Sequence, residues 1–210
     1  MLTYSMDQEP QLKLTETAKA LTFHPTETRT PIENYQGEKT DHEAFTVQST
    51  DPQHLIISRP DQLVSIDLTN PLLQTQLVET ATAMENISPE NLFSQLYQYT
   101  SEHFGQHPEI YNSLQDEALK IDVPLDLATT LSKGAINCVE RHCFISIVTQ
   151  MLTGQSGFVD VLVPKDNRYG GHMTNAKPDE SPTDTFNRFK DLPFSYDKTI
   201  GLIQRIKLFQ

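Results

Sequence analysis

Lys133 to Asn175 reads KGAINCVERHCFISIVTQMLTGQSGFVDVLVPKDNRYGGHMTN, and the fold turns on the order of its parts. Gly134 suits a turn and Asn137 is a good N-cap, so a helix is predicted to start at Cys138 and run to about Leu152. Val139, Cys143, Ile147 and Met151 recur every fourth residue, and Phe144, Ile145 and Val148 widen that stripe until the helix is nearly buried. Thr153 to Gly157 is a loop, and Phe158 to Val163 is an apolar, β-branched run that reads as a strand. Gly170-Gly171-His172 then turns into a second strand, His172 to Lys177. The order can bring a thiol and an imidazole together.

A cysteine in the first helical turn feels the positive end of the helix dipole, which favours thiolate. A histidine beside it stabilises the thiolate and later supplies a proton to the leaving group. An acid or amide must hold that imidazole. Cys138 and His172 are the candidate nucleophile and base, and Asp197 is the preferred orienting group over Asn175 and Asp191. Asn175 is three positions from His172, which puts its side chain on the opposite strand face. Asp191 precedes Leu-Pro and suits a turn cap. Cys138, His142 and His172 could together offer three zinc ligands, but a Cys-x-x-Cys knuckle is missing, so neither metal nor cofactor is expected. Cys143 falls on the apolar stripe and reads as core, and His142 reads as a surface or packing residue.

The same residues resemble the transglutaminase-like branch of papain-type cysteine enzymes. In that family a helix, a loop with a tyrosine, a short helix and Leu-x-x-Gly-x-x-Cys precede the nucleophile. Here Leu92 to Phe104, Tyr111 and Leu131-Ser-Lys-Gly-Ala-Ile-Asn-Cys138 follow that order, and His172 comes 34 residues after Cys138. The family's third residue is an Asp after an aromatic residue and before Pro-Thr, and Phe194-Ser-Tyr-Asp197-Lys-Thr199 is similar. Val139 replaces the usual aromatic residue, His172-Met173-Thr174 replaces His-Ala-Trp, and the chain has no tryptophan. The resemblance covers about residues 88 to 200. It implies a Cys138–His172–Asp197 triad and a thioester intermediate in a peptidase, deamidase or transglutaminase acting on a protein or peptide. A non-catalytic protein-binding module on the same scaffold is the alternative.

Working outward, Leu55–Ile57 and Leu63–Leu68 read as short strands, and Asn70-Pro71 opens a helix to about Met84. Ser88-Pro89-Glu90 starts another helix, which Gly105 ends. Gln106 to Tyr111 reads as loop, Asn112 to Ile121 and Asp126 to Leu131 as short helices, and Pro178 to Thr185 as a polar loop. Thr199 to Phe209 fits strand or helix. Gln11 to Leu21 shows little helical register, and residues 22 to 50 look irregular and suited to binding a partner or substrate. The reading is an α+β fold: helices on a small, mostly antiparallel sheet. Residues 1–87 form an N-terminal extension or subdomain, and 88–210 a transglutaminase-like catalytic core.

Charge is uneven. Residues 1–132 hold 6 basic and 20 acidic side chains, whereas 133–210 hold 10 and 8, within a net −12. That acidic half argues against a nucleic-acid partner. No apolar run reaches membrane-spanning length, and the N-terminus has neither a basic start nor an apolar h-region, so neither membrane nor signal peptide is expected. Two cysteines on one helix are no disulfide framework. This fits the cytoplasm or another reducing compartment, and is compatible with export by a signal-independent route.

Overall fold

The predicted central helix forms over Cys138–Thr153 (α6), capped by Asn137 and ended by Gly154 in the left-handed region at φ 69°. A computed structural model describes residues 8–31, 45–59, 62–155, 157–164, 172–190 and 200–210. The fold is α+β, with α1 (Gln8–Ala20), β1 (Thr26–Pro31), β2 (Thr46–Asp51), β3 (His54–Arg59), β4 (Gln62–Asp67), α2 (Pro71–Met84), α3 (Pro89–Phe104) and α4 (Pro108–Lys120) preceding the cysteine region. A two-residue β5 (Leu125–Asp126) and α5 (Leu127–Ser132) lead into α6. After it come β6 (Phe158–Pro164), β7 (His172–Ala176), α7 (Pro182–Lys190) and β8 (Ile200–Lys207).

The strands form two four-stranded sheets, ordered β1-β8-β6-β7 and β2-β3-β4-β5. All pairs in the first are antiparallel, and in the second only β4–β5 is parallel. The C-terminal segment is thus strand rather than helix, inserted between β1 and β6. α6 packs against α1, α2, α3 and the β6–β7 hairpin. Val139, Cys143, Phe144, Ile147 and Val148 on α6 have no exposed surface, and burying each large apolar side chain contributes about 1.5–3 kcal/mol. That is why the helix axis, and with it the position of its N-terminus, is well determined.

Three helices differ from expectation, each for a visible reason. α4 starts four residues before the expected Asn112, because Pro108 and Glu109 repeat the Pro-Glu first turn of α3. α7 occupies part of the expected polar loop. There Ser181 and Asp184 make a reciprocal cap: Ser181 Oγ donates to the Asp184 carboxylate at 2.6 Å, and the Asp184 N–H donates back to Ser181 Oγ at 3.2 Å. α1 forms despite its weak pattern, since Leu14 and Ala18 at i and i+4, with Leu21 just past its end, reach the core.

The N-terminal residues also enter the main core. One buried cluster runs from Leu14 to Phe209 across the expected boundary at residue 88. β1 extends the β8 edge, and Phe23 stacks on Phe209 with ring centroids 5.3 Å apart. Gln204 Oε1 accepts from the Phe45 N–H at 2.8 Å, and Gln204 Nε2 donates to the Phe45 carbonyl and to Glu27 Oε2. The irregular composition of residues 22–50 therefore includes two strands and two aromatic anchors. A buried Arg205–Asp160 pair, bidentate with both contacts at 2.7 Å, ties β8 to β6.

Candidate functional site

Cys138 stands at the first position of α6 and is half-buried. The turn that delivers it is fixed from both sides. Gly134, at φ 61°, accepts through its carbonyl from the His107 N–H at 2.9 Å, and the Ile136 N–H donates to the Phe104 carbonyl at 3.3 Å. The helix start is a complete capping box. Asn137 Oδ1 accepts from the Val139 N–H at 2.8 Å, and the Glu140 carboxylate accepts from the Asn137 N–H at 3.4 Å.

Glu140 is fully buried two residues from Cys138. Tyr111 Oη donates to Glu140 Oε1 at 3.0 Å, and Gln62 Nε2 donates to Tyr111 Oη at 3.0 Å. Desolvation pushes the Glu140 carboxyl up to about 7, against the opposing pull of its hydrogen bonds. Burial, with the Glu140 charge beside it, likewise raises the Tyr111 phenol, which stays neutral. β4, α4 and the start of α6 are thereby joined by one polar chain.

One turn beyond Cys138 lies His142, with 5% of its surface exposed. Its Nδ1 is 2.5 Å from Asn175 Oδ1, and Asn175 Nδ2 donates to the His142 carbonyl at 2.9 Å. The second bond commits the amide nitrogen, so the amide oxygen faces the ring. An amide oxygen only accepts, and Nδ1 must carry the proton. Nε2 is then left with the lone pair. Burial lowers the His142 pKa to about 3, so the ring is neutral. Tyr97 stacks on it at 5.9 Å, and His172 meets it edge-on at 6.3 Å between ring centroids.

His172 opens β7 as expected. It is exposed, within a concave surface, and its pKa is lowered first by desolvation and then by Arg141. Arg141 lies 5.1 Å above the Tyr97 ring. Cys143 is buried in the core, as its stripe position implied, and burial pushes its thiol well above the ordinary thiol range. Asp197 and Asp191 lie outside the described residues. Asn175 holds His142, which has to be corrected from a surface or packing residue to an oriented, buried one. Among the described residues no three His, Cys, Asp or Glu side chains are grouped to hold a metal ion. Nor is any described helix long and apolar enough to cross a membrane.

A cavity of about 770 Å³ opens beside these rings, with Phe93, Tyr97, Ile145, Leu162 and Ile200 as walls and His142, His172 and Asn175 in its lining. Cys138 is not among the lining residues. Glu140 and Asn175 had a signal in the sequence: Glu140 completes an Asn-x-x-Glu capping box, and Asn175 stands on a strand that the sequence predicts. Their partners are distant in sequence, so the interactions themselves had none. No protein-family model matches the chain, and neither a curated protein nor a solved structure does. The likeness to transglutaminase-like enzymes thus stands on the quoted residues alone.

Proposed function

We propose that the chain is a cysteine-dependent acyl-transfer enzyme, a peptidase, deamidase or transglutaminase, with Cys138 as its nucleophile and His172 as its base. The observation that carries this reading is the placement of Cys138 at the first position of a long, rigidly packed helix, behind a complete capping box. The dipole there favours thiolate. His172 enters the reading as an imidazole that desolvation and Arg141 keep in its neutral form, the form able to accept a proton. Attack of the Cys138 sulfur on a carbonyl carbon would expel an amine that takes that proton. The resulting thioester would pass to water or to a second amine. Asp197, outside the described residues, is kept as the orienting acid of this proposal.

Alkylation with iodoacetamide followed by mass mapping tests it on the intact chain. Cys138 is expected to react at least about tenfold faster than the desolvated Cys143, and His172→Ala is expected to slow Cys138. Labelling of Cys138 at the rate of an ordinary free thiol, unaltered in His172→Ala, sinks the nucleophile assignment.

A second reading is favoured by one observation: Cys138 is absent from the cavity lining. On that reading the chain is a non-catalytic binding module, and the cavity with its oriented imidazole is the working surface.

A further inference from the structure

We infer that the cavity beside α6 is a binding site for a neutral aromatic ligand whose inner end carries an O–H or N–H donor, received by His142 Nε2. Volume comes first. About 770 Å³ is within the range of sites that enclose a small organic molecule. The walls come next. Phe93 and Tyr97 on α3 face Ile145 on α6 and Leu162 and Ile200 on the sheet, with the His142 and His172 rings between them. Aromatic groups add offset or edge-on contacts to their apolar burial, so this lining favours a ring over an aliphatic chain.

The inner polar group decides the chemistry of the ligand's end. Asn175 fixes the proton of His142 on Nδ1, which leaves Nε2 able only to accept. His142 is more than nine-tenths buried and still belongs to the cavity lining. A buried acceptor favours a ligand that donates to it and penalises one that cannot. The charged residues of the lining, Glu90, Lys177 and Arg188, are all exposed. Arg188 is engaged by Glu180 at 3.0 Å and by the Asn175 carbonyl at 2.8 Å. Among the described lining residues every Lys, Arg and Glu side chain is thus exposed, so a neutral donor suits the buried inner end better than a carboxylate or ammonium.

The site does not depend on Cys138 being a nucleophile, and its test uses no thiol chemistry. Titration calorimetry on the full chain compares 4-phenylphenol with 4-methoxybiphenyl, which has the same rings and no donor. The phenol is expected to bind about tenfold more tightly, the worth of one well-buried hydrogen bond. On a ¹⁵N-histidine-labelled sample, the His142 Nε2 resonance is expected to shift with the phenol and to hold still with the ether. His142→Phe keeps an aromatic ring and is expected to erase the preference. If that variant does not fold, the resonance of the unaltered protein decides. Equal affinity for the two compounds, no binding of either, or an unmoved Nε2 resonance overturns the inference.

Discussion

Asn175 grips His142 at two points, its amide oxygen 2.5 Å from the ring Nδ1 and its amide nitrogen 2.9 Å from the backbone carbonyl of the same residue. The pair crosses from β7 to α6, and one small side chain settles both the docking of a strand on a helix and the tautomer of a buried ring. Helix and strand are each held elsewhere by apolar burial, so the amide selects orientation more than it supplies stability.

Asn175→Ala is expected to cost about 1–3 kcal/mol, the penalty for leaving buried polar groups unsatisfied. Urea unfolding should show a lower midpoint at an unchanged slope. The ¹⁵N spectrum of His142 should lose its single Nδ1–H tautomer. A variant with wild-type stability and an unchanged tautomer would show that the ring is held by packing alone.

Glu140 makes stability depend on pH in a direction unusual for a carboxylate. Its folded pKa, about 7, lies above its ordinary value of 4.5, so the folded chain binds the proton more tightly. Its contribution is greatest below about pH 4.5, declines as pH rises to about 7, and is flat above that, a change of roughly 3 kcal/mol. Glu140→Gln is expected to remove this decline. The check is the difference in unfolding free energy between about pH 5 and about pH 8, measured for both proteins. Identical differences in the two would place the carboxyl in a normal state.

Asp160 is fully buried against Arg205. Asp160→Ala is expected to destabilise by about 3–5 kcal/mol, since it strands a guanidinium between β6, β8 and the Phe158 ring, which lies 4.4 Å from it. Replacing both partners, Asp160→Leu with Arg205→Met, is expected to cost much less than the single change. Thermal unfolding of the single and double variants measures this directly.

Gln204 is the bracket for the N-terminal half. Gln204→Ala removes the two buried hydrogen bonds that its side chain makes to the Phe45 backbone and is expected to cost about 2–4 kcal/mol. Hydrogen exchange at the Phe45 amide should accelerate before exchange in α6 does. Acceleration spread evenly over both would mean that this segment and the core open together.

Much of the architecture was legible because its causes are local. The cap at Asn137, the four-residue stripe of α6 and the alternation of β4 lie within a few residues of one another, and each names its own element. Where the pattern was weak the reading failed. Among the residues of α1 whose burial is described only Leu14 and Ala18 are buried, and the Ser181–Asp184 cap of α7 was hidden in a proline-bearing polar stretch.

By itself the sequence determined that Cys138 begins a buried helix and that His172 begins a strand after an intervening strand, since caps, periodicity and turn residues act over short distances. Only the tertiary structure decided which polar groups meet. Asn175 turned to His142, 33 residues away. Glu140 met Tyr111 at a separation of 29, and Gln204 met Phe45 at 159. Such pairings follow from how helices and sheets dock to bury apolar surface, a property of the whole chain, and a buried polar atom then takes whatever partner that docking presents.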